Sequence, residues 1–217
     1  MTTTFKRKFN ALLLAACYSA HLGAQGAPTL PQVTAGQASF SQQGNVFSIT
    51  NTPGTIINWQ SFNIGAGEIT RFIQQGSDSA VLNRVLGQDP SKILGALQSN
   101  GKVFLINPNG ILFGQGARVD VNGLVASTLN LSDADFLAGK KNFTAGANGA
   151  AAVRNDGSIT TPSGGKVFLI APNVENNGII RAPNGEVVLA AGHSVQLVDA
   201  SDPDLHVVVS APDDQAL

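Results

Sequence analysis

Apolar positions along this chain fall in short runs, rich in β-branched and aromatic residues, and each run ends in a cluster of Gly, Pro, Asn or Gln. The pattern is clearest from Gly101 to Thr128, which reads GKVFLINPNGILFGQGARVDVNGLVAST. Val103–Ile106, Ile111–Phe113 and Val119–Val121 are strand-length, and the breaks between them carry turn residues. In Asn107-Pro108-Asn109-Gly110 the proline presets φ at the second turn position, while Asn and Gly suit the others. Proline also forbids a helix through the segment. The unit is strand, tight turn, strand, turn, strand. The same grammar predicts strands at Ala38–Phe40, Val46–Ile49, Thr55–Ile57, Ile69–Ile73, Val81–Leu86 and Ile93–Leu97, an all-β chain. Only Leu129 to Gly149 departs from it. There Ser132 can cap one short helix with Asp133 and Asp135 in its first turn, and Lys140–Thr144 can extend as a strand.

Internal repetition turns the list of strands into an architecture. Gly101-Lys-Val-Phe-Leu-Ile-Asn-Pro-Asn109 returns as Gly165-Lys-Val-Phe-Leu-Ile-Ala-Pro-Asn173, sixty-four residues later. A finer period sits inside the second half. Asn155-Asp-Gly157 recurs as Asn176-Asn-Gly178, Gly165-Lys-Val-Phe-Leu as Gly185-Glu-Val-Val-Leu, and Val174 has a counterpart in Val195. Those offsets set a period of about 21 residues, with sixty-four as three periods, and periods of this size mean solenoids. The leucine ladder of a leucine-rich repeat is missing, and so is strict six-residue spacing. The prediction is a right-handed parallel β-helix of about 20–22 residues per coil, with residues 129–149 as an external excursion. About nine coils would make a rod on the order of 40 Å long. Inward Val, Ile and Leu would stack in columns, and corner Asn side chains would ladder between coils.

Composition agrees. Among 217 residues, 43% are apolar, only 12% charged and only 6% aromatic, which excludes disorder and favours a thin core of aliphatic side chains. Net charge is −1, and basic residues are nowhere interleaved with aromatics, so nothing argues for nucleic acid. The first 26 residues read as a secretory signal: Lys6, Arg7 and Lys8, then the apolar run Ala11–Ala16, then small residues around Ala24. Residues 27–217 form the β-helix domain, which reads as truncated at its C-terminus. A second reading treats Leu14-Ala15-Ala16-Cys17 as a lipoprotein box, with Cys17 the lipid anchor. Cys17 is the single cysteine, so no intrachain disulfide can form.

Candidate chemistry is sparse. Trp59, the one tryptophan, and Phe62 read as cover for an end or edge of the core rather than as ligand-stacking rings. His193 precedes Ser194 without the flanking glycines of a nucleophile elbow. Phe113-Gly114-Gln115-Gly116 lacks the third glycine and the helix of a dinucleotide fingerprint. His193 and His206 are too few for a metal cluster, and the five Asp between 199 and 214 fit no EF-hand. The pectin lyases, which are parallel β-helix enzymes, gather carboxylates on one face, whereas Asp120, Asp156, Glu175 and Glu186 are read as far apart. No catalytic residue, metal or cofactor is expected.

The central stretch resembles the N-terminal secretion domain of filamentous haemagglutinin-like exoproteins of Gram-negative two-partner secretion. The residues that carry the likeness are Val103 to Ile111, Phe113-Gly114, Val119-Asp120-Val121 and Gly123 to Thr128. Ser132 to Phe136 and Asn58 to Phe62 also resemble family positions. The family's second signature, Asn-Pro-Asn-Leu, is absent, with Val81-Leu82-Asn83-Arg84-Val85 where it would be expected, which suggests a different subfamily. The resemblance implies a non-enzymatic module, delivered to the periplasm by the Sec system. There the POTRA domains of an outer-membrane β-barrel transporter would recognise it, and it would nucleate β-helix folding outside the cell. It implies a monomer without nucleic acid or small-molecule substrate. Asn107, Pro108, Asn109, Gly110 and Ile111 would fix the register of a coil, contact the partner, or both. The competing readings are a polysaccharide-degrading β-helix enzyme and a lipoprotein anchored at Cys17.

Overall fold

The computed structural model describes residues 26–144 and 151–197, with the backbone of 207–210. Two short strands open it, β1 (Gln32–Ala35) and β2 (Ala38–Gln43). Three-sided coils follow. The first holds β3 (Val46–Asn51), β4 (Thr55–Trp59) and a single parallel bridge from Ile64 to Ile93. The second holds β5 (Ile69–Ile73), β6 (Ala80–Val85) and β7 (Ser91–Ile93), and the third β8 (Ala96–Ile106) and β9 (Ile111–Phe113). The fourth begins with β10 (Arg118–Ser127). The chain then leaves the solenoid through β11 (Asn130–Leu131), α1 (Asp133–Leu137) and β12 (Lys141–Thr144), and returns to close the coil with β13 (Ala152–Asn155). The fifth coil holds β14 (Ser158–Thr160), β15 (Lys166–Ala171) and β16 (Asn173–Asn176). The sixth holds β17 (Ile179–Arg181) and β18 (Glu186–Ala191), after which β19 (Ser194–Leu197) and β20 (Val207–Ser210) depart.

Parallel pairing stacks these strands into three faces of a right-handed solenoid. The first face runs β3, β5, the start of β8, the start of β10, β14 and β17. The second runs β4, β6, the end of β8, the end of β10, β15 and β18. The third runs β7, β9, β13 and β16. Val103–Ile106 and Val167–Ile170 therefore share one column, joined through Leu124–Ser127 of β10.

Strands β8 and β10 each turn a corner where Asn-Gly stands. A Cβ on Gly101 would sit 2.6 Å from the Gln74 amide carbon and 2.8 Å from the Ser79 carbonyl, so only glycine fits that corner. A Cβ on the equivalent Gly185 would collide with the carbonyl of Gly165 one coil below. Inside, Leu97, Val103, Leu105, Val119, Val121, Leu124, Val167 and Leu169 form an aliphatic core with almost no exposure. Phe40, Phe47, Trp59, Phe62 and Phe72 fill its N-terminal end, where β1 and β2 run antiparallel to the first coil as a cap.

Several expectations need correction. About six coils are present rather than nine, a stack of roughly 25–30 Å. The cap, the excursion and the strands after β18 use chain without adding rungs. The sixty-four-residue repeat is two coils plus the excursion, not three periods. Val195 is not the counterpart of Val174: it lies in an antiparallel sheet outside the solenoid, paired with Phe143. Ile93–Leu97 is not one strand, because Leu94 and Gly95 form a corner and both donate to the Ile64 carbonyl. The excursion behaves as read, with the Ser132 hydroxyl accepting from Asp135 N–H at the start of α1. Its residues 145–150 lie outside the described residues.

The excursion strands and the chain end build a second sheet, ordered β11–β12–β19–β20. It packs on the outward side of the second face. There Ile56, Leu82, Phe104, Ile106, Val125, Phe168 and Ile170 meet Leu131, Phe136, Phe143, Val195 and Leu197 in a second core.

Candidate functional site

The Asn-Pro-Asn-Gly turn ends β8 at the edge of the second face. Gly110 N–H donates to the Asn107 carbonyl at 3.1 Å, closing a four-residue turn with Pro108 at its second position. Asn109 keeps a negative φ while Gly110 takes +121°, so the turn is type I followed by glycine. Asn107 is fully buried, and its amide is fully used. Nδ2 donates to the Asp89 carbonyl (3.0 Å) and the Ser91 hydroxyl (2.9 Å) of the preceding coil. Oδ1 accepts from Asn109 N–H (3.0 Å) and from Asn109 Nδ2 (3.2 Å). Two donors and two acceptor positions are all an amide has. Asn109 Nδ2 reaches the Gly87 carbonyl at 2.8 Å, and Ser91 N–H donates to the Gly110 carbonyl at 3.0 Å. The turn is thus knotted to residues 87–91 of the coil below. Pro108 and Asn109 remain half-buried at its surface, while Ile111 points into the core.

The second copy of the motif shows what the asparagine contributes. With Ala171 in place of Asn107, Ala171 stays within β15, and only Pro172 separates it from β16. The apolar run and Pro-Asn are the same, so the buried amide accompanies the tight turn.

Val81–Val85, where the second signature would stand, forms β6 rather than a turn. Asn83 is buried within it, accepting from Trp59 Nε1 at 3.0 Å and donating to the Phe104 carbonyl at 3.2 Å. Trp59 and Phe62, each 1% exposed, lie within the first coil beneath Phe40 and offer no open ring to a ligand. Arg84 reaches out from β6 to the Leu131 carbonyl (2.7 Å) and Asp133 (2.6 Å), fastening the excursion to the second coil. The sequence reading missed this tie and the partnership of β12 with β19. The sequence signals only that a cover is needed, since Val-Phe-Leu-Ile is apolar at every position, as in a strand buried on both faces.

Contrary to expectation, Asp156 and Glu175 are close together, on either side of Arg154. Parallel pairing of β13 with β16 sets Arg154 beside Glu175, and Arg154 bonds Asp156 at 2.9 Å and Glu175 at 3.6 Å. Hydrogen bonds from Arg154 and then Asn177 hold the Asp156 carboxyl below the usual carboxylate range. The same contact, led by its hydrogen bond to Asp156, raises the Arg154 guanidinium. This is an ion-paired surface ladder. Among the described residues no three His, Cys, Asp or Glu side chains gather as metal ligands. His193 occupies a bend between β18 and β19. A groove of about 360 Å³ between β2, β3 and the end of β5 is lined by uncharged residues, among them Gln37, Thr50, Asn51, Ile73 and Gln74. No helix among the described residues is long and apolar enough to cross a membrane. The signal segment, Cys17, His206 and the acidic positions from 199 to 214 lie outside the described side chains.

Comparison with known proteins gives three findings. A family model described as the TPS secretion domain matches residues 24–215. The heme/hemopexin-binding protein of Haemophilus influenzae strain Rd is 33% identical over 204 residues, covering 88% of this chain and 22% of that protein. The crystal structure of the HMW1 secretion domain from Haemophilus influenzae superposes with a TM-score of 0.78 at 36% identity, over 85% of this chain and 49% of that one. The chain thus spans about a fifth of the length of that curated relative and half of the solved structure.

Proposed function

The chain belongs to the TPS secretion domain family, a family of two-partner secretion modules and not of enzymes, and from that premise we propose how it works. It is the export module of an exoprotein of the adhesin or haemagglutinin type, carried to the periplasm by a signal in residues 1–26. POTRA domains of a dedicated outer-membrane transporter recognise it there as a monomer. The domain in residues 27–217 then folds around its β-helix outside the cell and nucleates β-helix growth. The relative's heme and hemopexin binding is named for a protein of which this chain covers 22%, so the likeness bears on export more than on cargo.

One observation carries the reading. Among the described residues, Asn107 and Asn109 of the turn bond back to residues 87–91 of the coil below, which fastens the third coil onto the second. No nucleotide hydrolysis is available at the outer membrane. Folding coil upon coil, each adding apolar burial and backbone pairing, favours net outward movement. Pro108, half-exposed at the tip, leaves room for partner contact as well.

Co-expression with the transporter tests this proposal, with secretion read by immunoblot of the medium. Secretion should depend on the transporter, and replacing both Asn107 and Asn109 by Ala should block it. Unchanged secretion of that double variant would remove the turn from the mechanism. Secretion without the transporter would overturn the proposal itself.

A further inference from the structure

Export makes no use of the groove beside the N-terminal cap, whose volume of about 360 Å³ lies within the range of small-molecule pockets. Its floor is an exposed row across three strands. Ser39 on β2 pairs with Thr50 on β3, and Thr50 with Ile73 on β5. Gln37 and Thr52 border it on the cap and first coil, Gln74 and Gln75 on the second, and no charged residue lines it. The borders are fixed by backbone bonds. Gln37 N–H donates to Thr52 Oγ1 and its carbonyl accepts from Thr52 N–H, both at 3.0 Å. Gln74 N–H donates to Asn100 Oδ1 at 2.7 Å and its carbonyl accepts from Asn100 Nδ2 at 2.8 Å. An added peptide strand would find these backbone groups taken, so what the groove offers is side-chain amides and hydroxyls.

A second observation points to a ligand. Asn51 and Gln74, both lining the groove and both more than nine-tenths buried, each keep a carboxamide oxygen without a partner among the described residues. Their orientation is set by the other end of the amide. Asn51 Nδ2 donates to the Thr52 carbonyl at 2.9 Å, and Gln74 Nε2 to Ser99 Oγ at 3.0 Å and the Lys102 carbonyl at 3.1 Å. Unmet buried acceptors are costly, and here two belong to one groove. The missing chemistry is donors, without charge. An anion would face those oxygens with no cation to hold it. A sugar supplies what is lacking: each hydroxyl donates and accepts, matching carboxamides and hydroxyls directly or through one bound water. Ile73, 45% exposed on the floor, gives the C–H face of the ring an apolar seat. We propose that this groove is a binding site for a neutral saccharide of about disaccharide size, carried on the exported domain.

The test is an NMR titration of the isotope-labelled full chain with lactose, cellobiose and diacetylchitobiose, and with a heparin disaccharide as the charged comparison. At least one neutral disaccharide should shift the backbone amides of residues 37–39, 50–52 and 73–75 in a saturable way, and the heparin disaccharide should not. Ile73→Ala combined with Gln75→Ala, two exposed positions, should weaken that binding at least tenfold. Leu86→Ala, equally exposed but away from the groove, should leave it unchanged. The inference is overturned by no shift with any of the three neutral sugars, by shifts that map elsewhere, or by equal binding of the heparin disaccharide. A double variant that binds as well as the wild-type chain overturns it too. The wild-type titration decides by itself should that variant fail to fold, and none of these results bears on the export reading.

Discussion

Asn107→Ala is the sharpest perturbation available, because a buried amide with every position used is replaced by a methyl group. The substitution deletes two donated and two accepted hydrogen bonds. It removes the amide donor that the Ser91 hydroxyl accepts, in a residue 1% exposed, and the acceptor of the Asn109 N–H. At about 1 kcal/mol per net hydrogen bond, and about 1–3 kcal/mol where a buried group is stranded, the expected loss is roughly 3 kcal/mol. That is a large share of the roughly 5–15 kcal/mol that holds a domain folded. With a urea slope of about 2–3 kcal/mol/M, the midpoint should fall by roughly 1–1.5 M. Unfolding should be followed by far-UV circular dichroism and by fluorescence together, since stacked repeats can lose cooperativity. Pro108→Ala is the matched control. It leaves every one of these bonds available and changes mainly unfolded-chain entropy, a cost of about 0.4–1 kcal/mol. Asn107→Asp should cost at least as much as alanine at neutral pH, because it loses both donors and turns a carboxylate toward the Asp89 carbonyl. An Asn107→Ala shift no larger than that of Pro108→Ala would refute the view that the amide, rather than the bend, locks the coils.

Two further outcomes follow from the same contacts. Trp59→Phe keeps the ring in the aromatic end but strands Asn83 Oδ1, so urea unfolding should show a loss of about 1–3 kcal/mol, and an unchanged midpoint would refute the Trp59–Asn83 bond. The Asp156 carboxyl has a folded value below its unfolded one, so its contribution is present above the ordinary carboxylate range near pH 4 and fades as pH falls through the lowered value. Asp156→Asn should therefore lower the thermal midpoint slightly at pH 7 and less at about pH 2.5, and an effect that grows on acidification would contradict the Arg154 pairing.

Much of the solenoid was legible because its corners and strands speak the same local language. Turn chemistry placed most breaks, and the repeats at Asn155/Asn176 and Gly165/Gly185 mark true rungs, with Asn155 Nδ2 donating to Asn176 Oδ1 at 2.7 Å. The coil count failed where repetition and stacking part company. A period counts residues, but only parallel pairing makes a rung, and residues 129–151 lengthen the fourth coil without adding one. Val195 misled for a related reason: spacing matched it to Val174, while burial against Phe143 drew it into the outer sheet. Nothing local to Phe143 announces a partner some fifty residues ahead. Burial of both sides of Val103–Ile106 was written in the sequence, but the identity of the cover was not.

Polar ties join each of the first three coils to its neighbour, as the proposed export by stepwise winding requires. Trp59 in the first coil donates to Asn83 in the second, and Asn83 donates to the Phe104 carbonyl in the third. Asn100 Oδ1 accepts from Gln74 N–H, and its Nδ2 donates to the Gln74 carbonyl one coil below. Asn107 and Asn109 reach back to residues 87–91. In each case a later coil satisfies groups that an earlier coil leaves open at a corner or inside the core, where an unmet bond is costly. In the proposed mechanism, a stack ending at the first or second coil would present both an apolar end and unmet polar partners for the next coil to meet. Backing out would strand those same groups, so each of these coils would resist reversal.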